Sequence, residues 1–184
     1  EETIKQLSST GSPDLLHMAT HGFFFEDVEE SKREPSFGGI TGEDVYRYAD
    51  DPLLRSGLAF TGANHYWMYG KAVTGMDNGV LTAYEVANLN LFNTKLAVLS
   101  ACDTGLGEIQ GSEGVYGLQR AFKMAGVDYL LMSLWKVDDA VTSQFMQTFY
   151  QKLLDDKLLI EQAFQQAQQL TRQQHPDPYY WAAF

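Results

Sequence analysis

The stretch LAVLSACDTG (residues 96–105) decides the fold, because it joins an apolar run to a potentially reactive cysteine. Residues 96–101 form a continuous apolar run, which is typical of a strand whose two faces are both covered. Two further runs, LLHMAT (15–20) and YLLMSLW (129–135), have the same character. All three are predicted to be buried strands.

Helical patterns alternate with these strands. Residues 114–125 carry Val115, Leu118, Phe122 and Ala125 at helical spacing. A second helix is predicted to begin after Asp138 and Asp139 and to run to about residue 154, and residues 160–170 repeat the pattern. Strands that alternate with helices indicate an α/β fold with a mostly parallel central sheet.

The segment between residues 23 and 79 is rich in turn formers and is expected to be a long loop, in which residues 58–61 can form a short strand. Its aromatic patch HYWMY (65–69) is interpreted equally well as a partner-binding surface or as a lid on the protein's own core. The final residues, YYWAAF (179–184), look like a strand that is cut short. The chain is therefore expected to be part of a larger protein.

The composition narrows the functional classes. A length of 184 residues predicts a single domain, residues 1–184. The net charge of −11 argues against nucleic acid as a direct ligand, since phosphate binding needs a basic face. No apolar run approaches the length of a membrane span, so no membrane association is expected. The one cysteine excludes a disulfide within the chain and fits a reducing, cytoplasmic setting.

His21 and Cys102 are the candidate catalytic residues. Each follows a predicted strand, and ligands bind beyond the carboxyl ends of parallel strands, so neighbouring strands would bring the thiol and the imidazole together. The thiolate of Cys102 would attack a carbonyl group, and the imidazole of His21 would protonate the leaving amine. The N–H groups of Gly22 and Cys102 would stabilise the oxyanion.

Structural roles compete with this interpretation. A lone cysteine at a strand end more often packs as a small hydrophobic residue, so only its pairing with His21 favours catalysis. His17 lies too far along the strand from His21 to share a metal ion with it, and is interpreted as a buried structural histidine. No metal ion or cofactor is expected.

Acidic residues near the presumed cleft are candidates for substrate binding. Asp103, Asp138 and Asp139 follow the second and third predicted strands, where one of them could select a lysine or arginine before the scissile bond. At least one of Asp138 and Asp139 is more simply interpreted as the cap of the following helix.

Five stretches of the sequence resemble the CHAT domain family, which is related to caspases and separases. They are LHMATHGFF (16–24), LSACDTGLG (99–107), GVYGLQRAFKMAGV (114–127), SLWKVDDAVTSQFMQTFY (133–150) and PYYWAAF (178–184). The resemblance implies a caspase-like three-layer α/β/α sandwich in which a His-Gly motif and an Ala-Cys motif supply a catalytic dyad. Those motifs match His21-Gly22 and Ala101-Cys102.

The resemblance also implies a substrate site and a mode of regulation. Ser133 and Trp135 resemble a cleft-lining strand edge with which extended peptides pair, although Trp135 can equally belong to the core. Related domains resemble proteases joined to repeat-rich sensors such as TPR repeats, and relatives act in bacterial defence. The predicted function is a cysteine endopeptidase that cleaves specific protein substrates. The alternative is a catalytically silent caspase-like module that binds protein partners through residues 65–69.

Overall fold

A computed structural model of the protein describes residues 2–26, 41–100, 112–135 and 138–184. The chain divides into two compact units, Glu1–Met132 and Ser133–Phe184. The strands of the described residues are β1 (Leu15–Ala19), β2 (His21–Phe24), β3 (Ser56–Ala59), β4 (Val80–Thr82), β5 (Leu96–Ser100) and β6 (Tyr129–Met132). The helices are α1 (Glu2–Thr10), α2 (Gly42–Arg47), α3 (Ala63–Tyr69), α4 (Ala83–Ala87), α5 (Ser112–Met124), α6 (Asp139–Tyr150), a π-helical turn (Gln151–Asp155), α7 (Ile160–Gln174) and α8 (Pro178–Trp181).

The first unit contains a parallel sheet in the order β1-β5-β6. Its central strand β5 is buried on both faces, because Ala97 and Leu99 point to one side while Leu96 and Val98 point to the other. A strand buried in this way needs an apolar residue at every position, which explains the continuous run. The α/β fold class and the positions of the three predicted strands are confirmed. The expected burial holds fully only for β5, because β1 alternates between buried and exposed residues and β6, which ends at Met132, begins on an exposed residue.

One face of this sheet packs on helices of the same unit. Leu16 and Met18 of β1 and Leu99 of β5 belong to a core cluster that also contains Leu118 and Phe122 of α5. The predicted helix over residues 114–125 is confirmed as α5. It ends before Gly126, whose φ of +102° is a conformation that glycine adopts without strain.

A second sheet replaces much of the expected long loop. It is antiparallel, in the order β2-β3-β4, and α2 and α3 also lie within residues 23–79. The strand expected at 58–61 is confirmed two residues earlier, as β3. The expectation of one long loop is wrong for the described residues. Strands of three or four residues that contain glycine are too short to produce a clear apolar run.

The second unit is helical. Asp138 caps α6 by accepting hydrogen bonds from the backbone N–H groups of Ala140 and Val141, as predicted for one of the two aspartates. The helical path continues through the π-helical turn to Asp155, which confirms the predicted length.

The strand expected at residues 179–184 is wrong, because α8 begins at Pro178. The carboxylate of Asp177 accepts a hydrogen bond from the N–H of Tyr179. Proline in the first turn after an aspartate cap is a strong helix start, and it overrides the β propensity of the aromatic residues that follow.

Candidate functional site

The register of β1 and β5 defines the candidate site. The two strands are parallel neighbours, as the dyad hypothesis requires, and Ala19 lies opposite Ser100 at their carboxyl ends. In the sequence, His21 is the second residue after Ala19 and Cys102 is the second residue after Ser100. Each candidate catalytic residue is therefore the second residue in the sequence after the end of one of two adjacent strands.

His21 has a fixed backbone and an accessible side chain. It is the first residue of β2, not part of a loop after β1, and it pairs with Ala59 of β3. The hydroxyl of Thr20 donates a hydrogen bond to the carbonyl oxygen of the same Ala59. The imidazole itself is exposed. The chain is thus held on both sides of the Cα atom while the ring can contact a substrate.

Aromatic packing holds β2 in place. Phe23 is buried, and its ring centroid lies 5.6 Å from that of Trp67 and 6.1 Å from that of Tyr46. Its neighbour across the ladder is Gly57, where a Cβ atom would lie 2.8 Å from the Phe23 ring and 2.4 Å from the carbonyl oxygen of Leu81. The absence of a side chain at Gly57 therefore allows the Phe23 ring to pack there, and this packing holds β2, which begins at His21, in place.

His17 is not buried, contrary to the sequence interpretation. Its side chain is exposed on the sheet face opposite the core cluster, and its Nε2 lies 2.9 Å from Oγ of Ser100. Although the residue is exposed, the protein atoms around the ring partly desolvate it, which lowers the pKa of the His17 imidazole and favours the neutral ring. The sequence analysis missed this pair. Its only signal was a polar residue in each of two otherwise apolar runs.

Two of the predicted site residues have no structural description. Cys102 and Asp103 lie outside the described residues, so the nucleophile and one substrate-binding candidate stay predictions. Gly22 is half-buried in β2 and pairs with Leu58 of β3. The assignment of the Gly22 and Cys102 N–H groups to an oxyanion hole also stays a prediction.

The remaining candidates for substrate binding belong to the second unit. Trp135 is half-buried, packs on the cluster of Val141 and Ala183, and donates a hydrogen bond from Nε1 to the carbonyl oxygen of Tyr179 at 3.0 Å. Ser133 is half-buried, whereas Asp139 is exposed in the first turn of α6. The contacts of Trp135 and the cap formed by Asp138 give both residues a structural role within their own unit.

The described ranges of the chain show no sign of a membrane-spanning helix or of a metal site. No helix there is long and apolar enough to cross a membrane. No group of three histidine, cysteine, aspartate or glutamate side chains in the same ranges is arranged to hold a metal ion.

Sequence comparisons identify the family. The family model for the CHAT domain matches residues 1–184, and CHAT domains are related to the caspase-like peptidases of clan CD. The chain is also 37% identical over 76 residues to tetratricopeptide repeat protein 28 of Mus musculus and 38% identical over 76 residues to the protein of that name from Homo sapiens. Each alignment covers 41% of this chain and 3% of the relative.

The comparison with solved structures adds nothing to this assignment, because no solved structure matches the chain significantly. The α/β fold with its parallel central sheet agrees with the caspase-like architecture of the matched family. A match over the full length of the sequence is sufficient to place it. The chain belongs to the CHAT domain family.

Proposed function

We propose that this chain is a cysteine endopeptidase domain in which Cys102 is the nucleophile and His21 is the acid–base partner. The observation that carries the proposal is the register of β1 and β5, which sets Ala19 opposite Ser100 two residues before each catalytic candidate. The exposed ring of His21 on a fixed backbone supports the same assignment. Membership of a peptidase-related family supports peptide-bond hydrolysis as the reaction class.

The reaction proceeds through a thioester. The imidazole of His21 accepts the thiol proton, and the thiolate of Cys102 forms a bond to the scissile carbonyl carbon. Backbone N–H groups, with Gly22 and Cys102 as candidates, stabilise the oxyanion. The C–N bond then breaks as the imidazolium protonates the leaving amine. Water gives a proton to the same imidazole, attacks the thioester, and releases the new carboxyl terminus and the thiol.

The proposed substrate is a protein, cut at specific sites and under the control of a separate region. The names of the two mammalian relatives refer to tetratricopeptide repeats, which supports a sensor of that kind as the regulatory partner. In this arrangement, the chain would be a fragment of a larger protein whose repeats precede this domain. A cytoplasmic location and a role in bacterial defence belong to the same proposal, the former supported by the single cysteine.

A peptide library tests the proposed activity. The protein should cleave a subset of its peptides, and Cys102→Ala should abolish cleavage without unfolding the protein, because no other thiol is present in the chain. His65→Ala is a matched control for His21→Ala, since His65 is also exposed in the first unit but contacts the carbonyl oxygen of Lys71. Undiminished cleavage by Cys102→Ala would refute the assignment.

A second function, a catalytically silent module that binds protein partners, is favoured by one surface. Met68 and Tyr69 at the end of α3 are 67% and 62% exposed, while Tyr66 and Trp67 of the same helix pack on the aromatic cluster. The patch at residues 65–69 is therefore part core and part open surface, a mixture of the two sequence interpretations. A silent module would bind a partner through Met68 and Tyr69, and its Cys102 would not react with a peptide electrophile.

A further inference from the structure

His17 and Ser100 join the two strands that lead to the proposed dyad. Nε2 of His17 and Oγ of Ser100 lie within hydrogen-bond distance, at 2.9 Å, although the residues are 83 positions apart. Since a serine hydroxyl can either donate or accept, either neutral tautomer of the ring completes the bond. His17 precedes His21 by four residues, and Ser100 precedes Cys102 by two.

The pair is not needed to hold the strands together. Five register pairs already join β1 to β5, and the core cluster packs on the other face of the sheet. Val98, the register partner of His17, is completely buried, whereas His17 is exposed. A polar contact between an exposed ring and the last residue of β5 buries little apolar surface and so adds little to stability. Its main effect is to restrain the orientation of the carboxyl end of β5.

We propose that His17 and Ser100 form a positioning pair that aligns the carboxyl ends of β1 and β5, an inference that rests on the proposed function of His21 and Cys102. The ring of His17 restrains the side chain of Ser100, the last residue of β5. Ser100, the last described residue before the nucleophile in the sequence, then keeps one orientation relative to the backbone that leads to His21. Catalytic geometry tolerates little displacement, so this restraint affects the reaction far more than it affects stability.

The chain supplies a matched control at the opposite end of the same strands. Nζ of Lys95 and Oδ1 of Asp14 lie 2.8 Å apart, directly before β5 and β1. This exposed ion pair links the same two strands at their amino ends. Lys95→Ala therefore removes a side-chain link between β1 and β5 without touching the end of the sheet that carries the proposed dyad.

The test measures how readily Cys102 is alkylated by iodoacetamide as a function of pH. With one cysteine in the chain, the rate reports on Cys102 alone. His17→Ala and Ser100→Ala should both raise the midpoint pH towards the value of about 8.5 for an ordinary thiol, as is also expected of His21→Ala. The double variant should go no further than either single one. His17→Gln and Ser100→Thr, which keep a hydrogen-bonding group, should restore most of the reactivity.

Peptide cleavage by the same variants gives the kinetic counterpart. The values of kcat for His17→Ala and Ser100→Ala should fall by about tenfold or more with KM nearly unchanged, while Lys95→Ala retains full activity. Urea unfolding of each variant separates this effect from loss of the fold. Unchanged midpoints in both single variants, additive effects in the double variant, or an equal shift in Lys95→Ala would overturn the positioning role. An unchanged midpoint in His21→Ala would instead refute the dyad itself.

Discussion

His21 combines a fixed backbone with an accessible side chain. Its backbone pairs with Ala59 of β3, and the hydroxyl of the preceding Thr20 binds the carbonyl oxygen of that same residue. The imidazole stays exposed beside these fixed backbone groups. A catalytic ring on a strand is placed more accurately than one on a loop, because its Cα atom has almost no freedom to move.

Thr20 offers a direct test of this anchoring. Thr20→Val keeps the shape of the side chain but removes the donor to Ala59, so the free energy of unfolding should fall by about 1 kcal/mol. Thr20→Ser keeps the hydroxyl and should lose less. Urea denaturation of the two variants makes the comparison. Equal losses in both, or a smaller loss in Thr20→Val, would show that the hydroxyl does not stabilise this junction.

The pH dependence of stability follows from the lowered pKa of His17. Because partial desolvation disfavours the charged ring, the unfolded chain binds more protons than the folded one between the folded pKa and the ordinary value of 6.5. The contribution of His17 to the free energy of unfolding is therefore largest above pH 6.5 and declines as the pH falls below that value. In His17→Gln this part of the pH dependence should disappear.

Urea unfolding of the wild type and of His17→Gln at several pH values from 7.5 downward measures the effect. The difference between the two proteins isolates His17, because every other titratable group is present in both. A difference that grew in the opposite direction, with the wild type gaining stability relative to the variant as the pH fell, would contradict the desolvation of the ring.

At the scale of elements, the sequence predicted those strands that carry long apolar runs. β5 was predictable because the parallel sheet buries its consecutive residues, and β1 and β6 because their sequences are mostly apolar. α5 was predictable because its apolar positions repeat at helical spacing. β2 and β4 were missed because three or four residues give no measurable period. The contact between His17 and Ser100 could not be predicted, since it depends on the register of two strands far apart in sequence.

The hydrogen bonds that cap α6 predict a structural role for Asp138, which a comparison with Asp139 can test. Asp138→Ala should lower the free energy of unfolding by about 1 kcal/mol, because two backbone N–H groups lose their acceptor. Asp139→Ala, one residue later and exposed, is the matched control and should cost only a few tenths of that amount. Thermal unfolding of both variants decides the matter. Equal stability of Asp138→Ala and wild type would contradict the cap.

At the scale of the whole molecule, the CHAT domain covers all 184 residues, and these fold as two compact units. The register of β1 and β5, on which the proposal of a dyad rests, lies within the first unit. The second contributes α6, α7 and the aromatic contacts of Trp135 with its own cluster. Composition and charge predicted the broad class of the molecule but not this division, because a boundary between Met132 and Ser133 falls inside one apolar run of the sequence.

Covalent labelling of Cys102 by a thiol-directed peptide electrophile tests the central claim most directly. If His21 activates the thiol, the wild-type protein should be labelled at neutral pH much faster than His21→Ala, while His65→Ala should be labelled at the wild-type rate. Mass spectrometry of the intact protein gives the rate for each variant. Slow labelling of the wild type at the same rate as His21→Ala, with and without a repeat-containing partner region, would contradict the dyad.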